Sequence, residues 1–251
     1  MLAIETRNLS KIYISGHFWN KRKTVAFKNI NLKIKQNQVY GLLGLNGAGK
    51  TTLMKILLGL IFPTEGEAFI LGKKVSDIEV RKNIAYLPEM PYFPKYLTPL
   101  EILDFYGRLY EIEYKKRKEK INTSLELVGL YNKRNVKLKE FSKGMLQRVG
   151  IAQLLINDPK LLFLDEPTYG LDPLATKEMR SIILMLKKSG KTIFLSSHQI
   201  TEVQQICDKI GILHNGSIIN EEKVSNIKGS LENYFIKKIN LQPSTAGVIY
   251  R

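Results

Sequence analysis

Residues 44–51 read Gly-Leu-Asn-Gly-Ala-Gly-Lys-Thr, and this G-x-x-x-x-G-K-[ST] pattern narrows the possible folds more than any other stretch of the chain. Before it, Val39-Tyr40-Gly41-Leu42-Leu43 reads as a short buried strand. After it, Leu53, Ile56, Leu57 and Leu60 recur at i, i+3, i+4 and i+7, which predicts a helix packed on one face. Strand, glycine turn and helix start together build an anion site. Glycines let successive backbone N–H groups wrap around phosphate oxygens, and the helix N-terminus adds unpaired donors and its dipole. In that arrangement Lys50 reaches the β- and γ-phosphates and the Thr51 hydroxyl holds Mg²⁺. The expectation is a site for the phosphates of a nucleotide.

The 251 residues suffice for one large α/β domain or two small ones with a real core. Charge is one-sided: 39 Lys+Arg against 23 Asp+Glu leave +16, which favours polyanionic partners without choosing among nucleic acid, nucleotide and anionic membrane. Cys207 is the only cysteine, so an intrachain disulfide and a cysteine-based zinc site are excluded, as suits a reducing compartment. With Val203 and Ile206 beside it, a buried structural thiol is expected. Residues 1–7 lack the basic-then-apolar layout of a secretory signal, and no apolar run approaches the roughly 20 residues a spanning helix needs. Work at a membrane therefore calls for another chain to cross it.

Leu2, Ile4 and Thr6 alternate and predict a first strand up to Tyr13, followed by an exposed loop over 15–23. Trp19 in that loop either covers a partner or caps the loop itself. Ile30, Leu32 and Ile34 alternate with polar residues, as in a half-buried antiparallel strand. Further strands are expected at 68–71 and 84–87. From Thr98 to Asp158 the chain reads as a helical insertion, opened by a capping box of Thr98 and Glu101. Its basic runs, 115–120 and 133–139, fit a solvated helix face or a phosphate patch. The core resumes with the apolar run 161–164, a helix over 176–189, a strand at 192–196, a helix, and a strand at 210–213. Asn215-Gly216 then marks a hairpin into Ile218-Ile219, and Leu231, Tyr234, Phe235 and Ile239 predict a docked C-terminal helix before a loose end from Gln242.

Ligands of parallel α/β sheets bind beyond the carboxyl ends of the strands. Four predicted strands end in polar groups: Leu43 before the glycine loop, Leu87 before Glu89, Leu164 before Asp165-Glu166, and Ser196 before Ser197-His198. Asp165 suits a hard-oxygen contact to Mg²⁺, Glu166 the orientation of an attacking water, and His198 donation to transition-state charge. A second helix start is predicted where Ser142 and Gly144 precede Leu146, Val149, Ala152 and Leu155. One chain thus carries two anion sites.

Taken together, these segments resemble the ATP-binding cassette of ABC transporters, from about Leu2 to Asn226. Gly44–Thr51 is similar to that family's Walker A motif and Leu161–Glu166 to its Walker B. Gly170-Leu171-Asp172 resembles the D-loop, His198 the switch histidine, and Phe141-Ser142-Lys143-Gly144-Met145 with Gln147-Arg148 the signature. The resemblance implies an α/β P-loop NTPase (RecA-like) with a parallel-sheet core, an N-terminal antiparallel β subdomain and an inserted α-helical subdomain. It implies a nucleotide-binding domain over 1–225 (core 1–88 and 159–225, helical subdomain 89–158), then a C-terminal helix or tail over 226–251. It implies Mg²⁺ and ATP, with Tyr13, Gly44, Asn46, Gly47, Ala48, Gly49, Lys50, Thr51, Thr52, Ser142, Gly144 and Asp172 on the nucleotide. Thr51, Asp165 and Glu89 would serve the metal, and Glu166 and His198 hydrolysis. Tyr13 can equally be a packing residue.

The expected activity is ATP hydrolysis that powers transport, export by resemblance, through a separate transmembrane permease. A second cassette pairs head-to-tail, so that Ser142 of one copy meets the γ-phosphate held by Lys50 of the other. Membrane association is then peripheral, at the cytoplasmic face. The sequence departs from the family's pattern at Lys143 and Met145, where Gly and Gln are usual, and at Glu89, where Gln is usual. Lys143 adds positive charge to a phosphate-facing loop; Glu89 either tunes coupling or is a solvated loop acid. Two other classes compete. An ABC-type ATPase acting on nucleic acid or ribosomes would use the charge, yet no long arm separates Lys50 from Ser142 and no zinc module exists, so no nucleic acid is expected. A binding module without turnover conflicts with the presence of Glu166 and His198.

Overall fold

The computed structural model describes residues 1–16 and 22–241; Trp19 and the end from Gln242 lie outside the described residues. Contacts divide the chain into two compact units, one of residues 1–81 with 194–251 and one of residues 82–193.

In the first unit, the predicted opening strand is β1 (Leu2–Ser15), paired antiparallel with β2 (Arg22–Ile30). The pairing continues to Ile14↔Lys23 and Ser15↔Arg22, so both ends of the expected 15–23 loop are strand. The strand expected through Ile30, Leu32 and Ile34 is broken in two: β2 stops at Ile30, and β3 (Lys33–Lys35) pairs with the other end of β1. Thr6 accounts for the break. Its hydroxyl donates to the Ile30 carbonyl at 2.9 Å and accepts from the Leu32 N–H at 2.8 Å, so a side chain takes over the ladder there. The three apolar residues are nevertheless buried as the alternation requires.

β4 (Val39–Leu43) is buried throughout and leads to α1 (Lys50–Leu57), then β5 (Glu65–Ile70) and the short β6 (Lys73–Lys74). The helix ends three residues before Leu60, which is exposed; the apolar stripe of α1 is Leu53, Met54, Ile56 and Leu57. Gly59, with φ of +68°, supplies the left-handed residue that stops it.

The second unit opens with β7 (Ile84–Leu87). Then come α2 (Pro99–Leu109), capped by the predicted Thr98–Glu101 box, α3 (Tyr114–Leu127) and α4 (Lys143–Leu155). β8 (Leu161–Asp165) pairs parallel with β7, as expected of an apolar run. α5 (Pro173–Lys188) begins three residues earlier than its apolar pattern, because Asp172 accepts from the Ala175 N–H at 2.8 Å and Pro173 presets the first turn. The basic run in α3 is not wholly solvated. Arg117 turns inward to Asp104 of α2 at 2.6 Å and to the Ile112 carbonyl at 2.7 Å, while Lys120 reaches the Ile156 carbonyl at 3.0 Å.

β9 (Thr192–Ser197) carries the chain back to the first unit. There α6 (Ile200–Ile206), β10 (Lys209–His214), β11 (Ser217–Lys223) and α7 (Leu231–Asn240) follow. β4 lies between β10 and β9, parallel to β10, and β11 closes that edge antiparallel. Asn215 and Gly216 both have positive φ, as the hairpin reading requires. Tyr40 stacks on Phe194 at 5.7 Å in this core, and its hydroxyl donates to Glu221 at 2.9 Å; burial and then the Glu221 charge hold the phenol well above its ordinary pKa.

Candidate functional site

In the first unit the loop after β4 turns on glycines. Gly47 and Gly49 have φ of +80° and +106°, conformations that L side chains resist. At Gly44 the constraint is space, since a Cβ would stand 2.5 Å from the Leu213 carbonyl oxygen of β10. Gly49 is also the N-cap of α1 and brings no side-chain hydrogen bond to it, and no acidic residue sits in the first turn. The first N–H groups of α1 are thus not claimed by a capping side chain, which leaves them suited to an outside anion.

Lys50, only 7% exposed, folds back over the loop and donates to the Gly44 carbonyl at 2.7 Å and the Leu45 carbonyl at 3.3 Å. Asn46 and Thr51 are exposed, Ala48 is buried and Thr52 half-buried. Tyr13 is on β1, 41% exposed as a residue, with the Lys11 ammonium 5.1 Å from the ring centroid. His198 follows β9 and is exposed, at a turn where Ser197 Oγ accepts from the Gln199 N–H at 2.9 Å.

In the second unit the parallel pair β7 and β8 brings Glu89, Asp165 and Glu166 to carboxyl ends of neighbouring strands. Asp165 is buried, and the Tyr86 hydroxyl donates to its Oδ2 at 3.3 Å. Burial first, then the Asp165 charge, push the Tyr86 phenol up to about 12, so it stays a donor at neutral pH. Glu166 is buried with φ of +48°, a left-handed conformation that costs a non-glycine residue about 1–3 kcal/mol. The surroundings must hold such a residue in place, which is common for groups that act chemically.

α4 starts where the sequence places it. Ser142 is its N-cap and accepts from the Met145 N–H at 3.3 Å. The helix is buried on more faces than the expected stripe: Leu146 and Leu155 are half-exposed, while Gly144, Gln147, Gly150 and Ile151 are buried. Gly144 has a packing role, because a Cβ would lie 2.7 Å from the Ala175 Cβ of α5. Asp172 caps α5 with its Oδ1. Two contacts that sequence reasoning missed also serve the site: that of Tyr86 with Asp165, and that of Gln147 in the signature-like segment, whose Nε2 donates to the Glu89 carbonyl at 2.6 Å. For the first, Tyr86 sat in plain view as a polar-tipped residue one position before the end of β7. The second carried no signal, since a buried amide and a solvated one look alike in sequence.

Among the described residues no group of three His, Cys, Asp or Glu could hold a metal ion, and no helix is long and apolar enough to cross a membrane. A single buried aspartate with a hydroxyl donor is the kind of ligand Mg²⁺ takes when phosphate and water complete its octahedron. The donor set present fits that ion.

A buried strand that runs into a glycine-and-lysine loop and then a helix defines an α/β P-loop NTPase. The family model described as ABC transporter matches residues 27–169, and the chain belongs to that family. It is similar to an uncharacterized ABC transporter ATP-binding protein of Synechocystis sp., 46% identical over 92% of this chain and 66% of that protein. It is 42% identical to the bacitracin transport ATP-binding protein BcrA of Bacillus licheniformis, over 90% of this chain and 71% of that one. The lantibiotic transport ATP-binding protein SrtF of Streptococcus pyogenes is 38% identical over 94% and 97%. Among solved structures, an ATP-binding subunit of an ABC transporter superposes with a TM-score of 0.80 at 28% identity, over 95% of this chain and all of that one. A dimeric ATP-binding cassette bound to ADP and Pi superposes at 0.77, also 28% identical, over 90% and 99%. The chain is an ATP-binding, ATP-hydrolysing subunit of the ABC transporter family.

Proposed function

We propose that this subunit drives export of a compound of the bacitracin or lantibiotic kind through separate transmembrane permease chains. In this reading ATP binding closes two cassettes and hydrolysis lets them part. The observation that carries its nucleotide half is the glycine-capped N-terminus of α1, with Lys50 buried beside it and no side-chain cap. Relatives named for bacitracin and lantibiotic transport support the class of cargo, and the direction rests on the family resemblance of the sequence. A relative seen as a dimer supports the pairing.

The residue roles are those the family resemblance implies. Backbone N–H groups of Gly44, Asn46, Gly47, Ala48, Gly49 and Thr52, with the Lys50 ammonium, hold the phosphates. Tyr13 lies under the adenine. Thr51, Asp165 and Glu89 hold Mg²⁺, which when bound neutralises charge on the β- and γ-phosphates. Glu166 accepts the proton of the attacking water, and His198 donates a hydrogen bond to a γ-phosphate oxygen as charge develops there. Ser142 and Gly144 of the second cassette meet the same γ-phosphate, with Asp172 lining the seam between copies. The permease holds the subunit at the cytoplasmic face of the membrane.

Turnover of Mg·ATP by the purified chain tests the reading. Lys50→Ala should abolish nucleotide binding, and Glu166→Gln should keep binding while cutting turnover by about a hundredfold or more. A chain with no affinity for ATP at millimolar concentration would end the proposal. Permease chains that fail to co-purify from membranes would remove the transport half alone.

A further inference from the structure

Lys143 adds positive charge to the start of α4, where glycine is usual. Its Nζ is 4.9 Å from the centroid of the Tyr169 ring, within cation–π range. It also stands directly over Gly170, where a Cβ would come within 2.6 Å of that nitrogen. Both facts have a cause in the local fold. Residue 143 is the first residue of α4, and a positive charge there opposes the positive end of the helix dipole. No acidic residue in the first turn offsets it. An aromatic face one turn of chain beyond Glu166 does.

We propose that Lys143 is a positioning residue. It ties the first turn of α4, and with it Ser142, to the turn after β8 that carries Glu166 and Tyr169. Three observations run along this seam. Lys143 covers Tyr169 and Gly170; the neighbouring Gly144 packs on Ala175, with Leu171 Cδ2 3.9 Å from where its Cβ would be; and the Tyr169 N–H donates to the Glu166 carbonyl at 3.0 Å. A shift of the Glu166 turn is thereby passed to the signature segment, which faces the other nucleotide of a closed pair. The usual glycine at position 143 has no side chain with which to do this. The inference rests on the ATPase reading for its consequence, though not for the contact itself.

The test uses the full chain and the variants Lys143→Met, Tyr169→Leu, their double, Lys143→Arg and Tyr169→Phe, each checked by circular dichroism. Lysine side-chain NMR should show a ring-current shift of the Lys143 ε-methylene in the parent that is lost in Tyr169→Leu. Lys143→Met and Tyr169→Leu should each lower kcat about fivefold with ATP affinity at the Lys50 site unchanged. The double variant should be no worse than either single one. Arginine and phenylalanine keep the cation and the ring face and should stay near the parent. If Tyr169→Leu matches the parent while Lys143→Met is impaired, the lysine acts on phosphate directly and the proposal is wrong. Multiplicative losses in the double variant overturn it too. Absence of the ring-current shift overturns it even where no nucleotide binds, an outcome separate from failure of the ATPase reading.

Discussion

Tyr86 and Asp165 meet across two parallel strands, phenol to carboxylate at 3.3 Å. Tyr86 stands opposite Phe163 in the register, and Asp165 is two residues further on the same face of β8. The strand pairing therefore delivers a hydroxyl donor to the one buried aspartate proposed for Mg²⁺, and fixes which way that carboxylate points.

Tyr86→Phe keeps the ring and removes only the donor. Partners behind a metal ligand commonly weigh tenfold or more in metal affinity, so the Mg²⁺ concentration for half-maximal ATPase activity should rise about tenfold. Thermal stability should barely move. A titration of Mg²⁺ at fixed ATP decides; an unchanged midpoint removes Tyr86 from the site.

Gln147 fixes the backbone at Glu89 from inside α4. Gln147→Leu is close to isosteric and loses one buried hydrogen bond, which should cost about 1 kcal/mol in denaturant unfolding. The loop at 89–92 should then exchange its amide hydrogens faster, while exchange in β8 is unaffected. Unchanged exchange at Glu89 would mean that the loop is held by something else.

Elements with a strong local signal were legible in the sequence. β4, β7 and the Thr98 cap appear with the bounds their residues dictate, because full burial in β4, the Pro88 stop after β7 and a reciprocal cap leave little choice. Failures have a common origin in side chains that replace backbone partners or turn inward. Thr6 interrupts the ladder between Ile30 and Lys33 through contacts 24 and 26 residues away. Arg117 sits in a run of lysines that reads as solvated, yet it is buried against Asp104. In the site, residue types with a fixed chemical role stand out in the sequence, while the contacts that orient them, Tyr86 on Asp165 and Gln147 on the Glu89 carbonyl, do not. Orientation is a long-range property. Lys143 shows the same limit from the other side, since its charge was visible and its aromatic partner 26 positions on was not.

The Asp104 carboxylate joins α2 to α3 by accepting from Arg117 at 2.6 Å and from Arg108 at 2.7 Å. Burial pushes its pKa up, but the two guanidinium hydrogen bonds outweigh it and hold the group below its ordinary value. A carboxyl depressed by folding stabilises above its unfolded pKa, and the benefit disappears as pH falls through the folded value. Asp104→Asn should therefore cost about 1–2 kcal/mol at neutral pH. The gap to the parent should close only below about pH 4, near the ordinary aspartate value. Urea unfolding at several pH values is the measurement, and a gap that stayed constant down to pH 2 would contradict the assignment.

Gly41 and Cys207 are matched in size, and the match can be tested by changing both. Gly41 is in the middle of β4, two residues before the strand ends, and a Cβ there would lie 2.8 Å from the Cys207 sulfur and 2.9 Å from Val203 Cγ1. Neither neighbour yields easily. Val203 is β-branched and buried in α6, and Cys207 has a single short rotor at the end of that helix. Overpacking of this kind usually costs 1–3 kcal/mol, so Gly41→Ala should be destabilised by about 2 kcal/mol. Cys207→Ala alone deletes one buried sulfur and should cost about 1 kcal/mol. In the double variant the clash with the sulfur is gone while the contact with Val203 Cγ1 remains, so the losses should be less than additive, with the pair still less stable than Cys207→Ala alone. Denaturant curves for the four proteins give the coupling energy directly. Strict additivity would show that the strand moves away from α6 instead of clashing with it, and that the thiol is in place for a reason other than its fit against Gly41.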